Sequence, residues 1–163
     1  MQIIQDKTLK RCPEYKSLRL KAFKDAPQAF LNDVRDADKL TQKKWQKRMK
    51  TTYFVELDGK FVGMIGVYKD KHFKLRHILN IVGFYVLPEY RSKGYGKALF
   101  KFVLDKFENN KSIKKFQLGV ITTQTRAYKM YLSFGFKKVG ELKYAIKVGD
   151  KFFDEYLLEK YLQ

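Results

Sequence analysis

Apolar residues recur with two different periods along this chain, and the switches between them mark its elements. Ile3 to Leu9 reads as a short first strand. Pro13 to Lys24 reads as a helix, with Pro13 tolerated in the first turn, Tyr15, Leu18 and Ala22 sharing a face, and Asp25-Ala26-Pro27 ending it. Residues 31 to 39 are polar and acid-bearing, after which Thr41 can cap a second helix with Trp45 and Met49 four apart. Tyr53 to Leu57 and Lys60 to Tyr68 flank Asp58-Gly59, a hairpin signal. Ile78 to Leu87 is an almost unbroken apolar run, the pattern of a central strand covered on both faces. Lys97 to Glu108 then carries Ala98-Leu99, Phe102-Val103 and Phe107 at helical spacing. Phe116 to Ile121 reads as another strand. Ala127, Met130, Tyr131 and Phe134 form a helical stripe over Arg126 to Phe134, closed by Gly135 at the C-cap. Phe136 to Ile146 and Phe152 to Leu158 alternate imperfectly and read as a final antiparallel pair.

Strands, then strand-helix-strand-helix, then strands again predict a mixed α/β sheet with helices on its faces. At 163 residues, with no internal repeat or linker, the chain is expected to be one domain spanning residues 1–163. Cys12 is the only cysteine, and with His72 and His77 the only histidines the ligands for a structural zinc site are missing, so no metal is expected. No apolar run is long enough to cross a membrane, and a cytoplasmic protein is expected. The formal net charge of +18 invites a nucleic-acid reading. Of the 35 basic residues, however, 28 are lysines scattered along the chain, whereas base readers concentrate arginine. A nucleic-acid partner is therefore not expected.

The chemistry concentrates where the buried strand runs through a glycine-bearing loop into a helix: Tyr85-Val86-Leu87-Pro88-Glu89-Tyr90-Arg91-Ser92-Lys93-Gly94-Tyr95-Gly96-Lys97-Ala98-Leu99. Unpaired N–H groups at a helix start, with a loop able to curl its amides inward, make an anion cradle. A P-loop would need Ser or Thr after Gly96-Lys97, where Ala98 stands. A dinucleotide fingerprint would need a small residue at Leu99. What remains, Arg91-x-x-Gly94-x-Gly96 after a strand, resembles motif A of the GNAT acetyltransferases. Gln124-Thr125-Arg126-Ala127-Tyr128-Lys129-Met130-Tyr131-Leu132-Ser133-Phe134-Gly135-Phe136 is similar to that family's motif B, commonly Asn-x-x-Ala-x-x-Leu-Tyr-x-x-x-Gly-Phe. Leu18-Arg19-Leu20-Lys21-Ala22-Phe23, Pro27-Gln28-Ala29-Phe30 and the tail from Val148 to Glu155 also look like family members.

The resemblance implies a GNAT fold with about seven strands and about four helices, and an N-acetyltransferase that uses acetyl-CoA as co-substrate in a ternary complex. It places Phe84, Tyr85 and Val86 along the pantetheine arm, and Arg91, Ser92, Lys93, Gly94, Tyr95, Gly96 and Lys97 around the pyrophosphate. Gln124 stands where the family usually has Asn. Tyr131 falls where the family has a tyrosine near the sulfur, which implies a hydrogen bond to the departing thiolate. The implied partner is a small-molecule or peptide amine; self-association as a homodimer is left open. No carboxylate lies in Ile78 to Leu87 to act as base, leaving His77, Glu56 or a water chain as candidates. Asp33, Asp36 and Asp38 are either an acidic rim for a cationic acceptor or loop and cap residues. Two other readings are a coenzyme-binding sensor without turnover and a basic nucleic-acid module.

Overall fold

A computed structural model describes residues 1–162. Its strands hydrogen-bond in the order β1-β2-β3-β4-β5-β7-β6. The residues gather into two compact units, Met1–Val67 with Gly83–Leu104, and Tyr68–Val82 with the chain from Asp105 onward.

In the first unit, β2 (Thr52–Leu57) and β3 (Lys60–Tyr68) form the expected hairpin. Asp58 and Gly59 take φ of 47° and 75°, the pair of positive values that a two-residue type I′ turn needs. β1 (Gln2–Ile4) pairs antiparallel with β2 and is shorter than its alternation predicts. The Asp6 carboxylate stops it by accepting from the N–H and hydroxyl of Thr8, at 2.8 and 2.6 Å. α1 (Cys12–Asp25) buries Tyr15, Leu18, Ala22 and Phe23. α3 (Gln42–Met49) starts at Thr41, whose hydroxyl accepts from the Lys44 N–H, and it buries Trp45 edge-on to Tyr15 at 5.8 Å.

α2 (Val34–Asp38) lies in the stretch read as merely polar, and it raises the helices from the expected four to five among the described residues. A capping box creates it. The Asp33 side chain accepts from the N–H groups of Arg35 and Asp36, and Asp36 accepts from the Asp33 N–H. Two of the three acids considered for an acceptor rim are thus spent on a helix start.

β4 (Ile78–Val86) belongs in part to each unit. Coverage on both faces fails at Val82, which is 46% exposed. Gly83 follows with φ of 62°, so the strict alternation of a flat strand breaks there. α4 (Tyr95–Glu108) buries Leu99, Phe100, Val103 and Leu104. Phe54, Val55, Met64 and Ile65 complete the centre of this unit.

In the second unit, β5 (Lys115–Ile121) lies parallel to the start of β4, Ile78 to Asn80 facing Lys115 to Gln117, and antiparallel to β7 (Lys151–Tyr161). β6 (Lys137–Val148) closes the edge against β7. The imperfect alternation of β6 has a physical basis: register breaks between Leu142 and Ile146, where Tyr144 takes φ of 53° and its N–H donates to Asp154 at 2.9 Å. α5 (Thr125–Ser133) ends at Gly135, φ 86°, and of its apolar stripe only Tyr131 is fully buried. Among the described residues no helix is long and apolar enough to cross a membrane, and no group of three side chains could hold a metal.

Candidate active site

The end of β4 presents its side chains to two faces, as a strand must. Phe84 and Val86 turn toward α4. A Cβ built on Gly96 would stand 3.1 Å from Phe84 Cζ and 3.3 Å from Val86 Cγ2, so helix and strand approach as closely as they do because that position carries no side chain. Tyr85 faces the other way, where its ring meets Phe30 at 6.3 Å and lies under the Arg91 guanidinium at 5.3 Å. Burial and the nearby Asp25 charge push the Tyr85 hydroxyl up to about 12. The three residues implied for the pantetheine arm therefore divide between two faces.

Beyond Val86 the backbone curls. A 3-10 turn over Pro88–Tyr90 is followed by positive φ at Ser92 (60°) and Gly94 (83°), and α4 begins at Tyr95. The first amide to bond back into the helix is that of Ala98, to the Gly94 carbonyl at 2.9 Å. Among the described residues, the N–H groups of Ser92, Lys93, Gly94, Tyr95, Gly96 and Lys97 meet no protein acceptor. Six successive unpaired donors at the positive end of a helix, with the exposed side chains of Lys93 and Lys97 beside them, are suited to a polyanion. Arg91 is engaged differently: its Nε donates to the Val86 carbonyl at 2.9 Å and its Nη2 pairs with Asp25.

With this geometry in place, residues 17–136 match the model of the acetyltransferase (GNAT) family. The chain belongs to that family. Among proteins similar to this GNAT chain, UPF0157 protein YqkA of Bacillus subtilis is 32% identical over 88 residues, covering 54% of this chain and 23% of the relative. Human N-acetyltransferase 8 is 29% identical over 113 residues, 65% of this chain and 47% of the relative. The chain thus spans less than half the length of either relative. The solved structure of yncA from Salmonella typhimurium, with its cofactor acetyl-CoA, shares the fold at a TM-score of 0.84 and 16% identity, covering 100% of this chain and 94% of that one.

The other two residues that the resemblance implied, Gln124 and Tyr131, lie in the second unit. Gln124 is the N-cap residue of α5, but its side chain makes no capping bond and its carbonyl accepts from the Tyr128 N–H at 3.0 Å. Tyr131 is 6% exposed, and burial pushes its hydroxyl far above the ordinary tyrosine value. Of the candidate bases, His77 is exposed, and its carbonyl accepts from the Lys114 N–H. Glu56, in the first unit, is ion-paired with Arg11, which also holds Glu14 at 2.7 Å. Glu56 is therefore not a free base.

Sequence reasoning missed Glu155, on β7. Its carboxylate lies against Gly119 of β5, where any Cβ would overlap it, and burial raises its pKa with no neighbouring charge contributing. The signal was there: Glu155 shares the strand phase of Phe153 and Leu157. Because the folded chain holds this proton to higher pH than the unfolded chain does, stability falls as pH rises from the unfolded value of about 4.3 through the raised folded one. Glu155→Gln should therefore melt higher than the parent at pH 7, with the gain vanishing near pH 3.5; an unchanged melting temperature at pH 7 would show the carboxylate to be well solvated.

Proposed function

We propose that the chain transfers the acetyl group of acetyl-CoA to a primary amine by direct attack in a ternary complex. The observation that carries this reading is the run of unpaired amides from Ser92 to Lys97, in the stretch whose sequence resembles motif A of the GNAT family. These donors hold the coenzyme's pyrophosphate, with Gly96 allowing the helix start to close on β4. The Val86 carbonyl has two lone pairs, so it can accept a pantetheine amide while still holding Arg91 Nε.

In the reaction the neutral amine forms an N–C bond to the thioester carbonyl, the C–S bond breaks, and the thiolate leaves. Tyr131 donates a hydrogen bond to that sulfur. Its raised pKa keeps it protonated throughout the working range, which suits a donor and opposes full proton transfer to a thiol near 8.5. Glu155, half-buried and readily protonated, suits a proton acceptor better than His77 or Glu56. A cytoplasmic setting accords with the buried, free Cys12.

The test is a melting scan with acetyl-CoA, followed by thiol release across small amines, polyamines and peptide N-termini. Stabilisation together with amine-dependent thiol release is expected. The rate should rise with pH as the amine deprotonates, without a downturn from Tyr131 up to about pH 10, its ordinary range. Stabilisation without thiol release for any amine would mark a sensor; no stabilisation would remove the coenzyme site itself.

A further inference from the structure

Arg19 lies in the α1 stretch Leu18 to Phe23, and its surroundings are unusual for an arginine. Its guanidinium lies over the rings of Phe23 and Phe30, 4.8 and 5.2 Å from their centroids. Nη1 rests against β4 at Gly83, so closely that a Cβ there would overlap it. Its Nε is fully buried and has no hydrogen-bond partner. No carboxylate among the described residues pairs with it, and burial lowers its pKa from the ordinary arginine value.

A guanidinium withdrawn from water without a counter-charge costs the folded chain free energy. Nothing in the first unit repays that cost with an ion pair. The acids nearest in sequence are committed elsewhere: Glu14 to Arg11 and the Phe61 N–H, Asp25 to Arg91, Asp33 to Arg35 and the α2 cap, and Asp36 to the same capping box. Space for Arg19 is also specifically kept, because Gly83 gives its Nη1 access to the β4 backbone. The planar fork of a guanidinium matches a carboxylate through two parallel N–H···O bonds.

We propose that Arg19 binds the carboxylate of an acceptor that carries both an amine and a carboxylate. This rests on the acyltransferase reading above and narrows its acceptor to amino-acid-like amines. The aromatic floor of Phe23 and Phe30 holds the guanidinium in one orientation, and Phe30 also packs on Tyr85 at the end of β4. It replaces the expectation of an acidic rim selecting a cationic acceptor.

The experiment uses the full chain with acetyl-CoA and the common amino acids, each compared with its own carboxamide, by thiol release and by calorimetric titration. Each acid is expected to exceed its amide in kcat/KM by about tenfold or more, as loss of a charged hydrogen-bond pair implies. Arg19→Gln and Arg19→Lys should collapse that ratio toward one through a rise in KM for the acid, while both variants keep the melting shift with acetyl-CoA. Equal use of acid and amide by the parent, binding of neither, or a ratio unchanged in both variants would overturn the proposal. Loss of the acetyl-CoA shift in the parent would instead overturn the coenzyme reading, and the two failures are distinguishable because calorimetry reads acid binding without the coenzyme.

Discussion

Gly96→Val is expected to abolish stabilisation by acetyl-CoA. In the parent, coenzyme at about 100 times its dissociation constant should add about 2.7 kcal/mol to unfolding if it binds the folded state alone. The Cβ of any residue at position 96 already stands 3.1 and 3.3 Å from Phe84 and Val86, and valine adds two further methyl groups. The first turn of α4 must then move off β4, and the amides of Ser92 to Lys97 lose the arrangement that lets them converge. Gly94 provides the contrast. Its Cβ would stand in open space, but its φ of 83° costs a side-chain-bearing residue about 1–2 kcal/mol. Gly94→Ala should therefore lower the coenzyme-free melting temperature modestly and weaken the shift without removing it. A full shift in a folded Gly96→Val protein would mean that the pyrophosphate sits elsewhere.

Tyr131→Phe should leave the acetyl-CoA shift largely intact and reduce kcat by about 10²- to 10³-fold, the scale associated with removing one donor aimed at developing charge. The ring itself, 6.3 Å from Phe136 and buried, is retained by phenylalanine, so the loss reads the hydroxyl and not the packing. The raised pKa sharpens this expectation. A hydroxyl that resists ionisation cannot hand its proton over completely, so the variant's defect should be nearly independent of pH between 7 and about 9. Undiminished turnover in a folded variant would take Tyr131 out of the reaction.

Much of the fold was legible because local rules decided it. The Asp58-Gly59 turn, the Thr41 cap and the Gly135 stop each depend on the backbone freedom or hydrogen-bonding capacity of one or two residues. α2 was hidden because its cap residues are the very acids that make 31–39 look like a solvated loop. Val82 was misjudged because an apolar run says nothing about what covers it; the positive φ at Gly83 that breaks the alternation depends on the whole strand.

By itself the sequence determined the anion cradle: a strand, two glycines and a helix start within 15 residues specify donors whose direction follows from backbone geometry alone. Only the tertiary structure decided how the charged side chains are used. Arg91 is tied to Val86 and Asp25, Glu56 is consumed by Arg11, while Arg19 and Glu155 are drawn into packing without an opposite charge. The reason is that a side chain's ionisation and availability depend on neighbours distant in the chain, which no local pattern records.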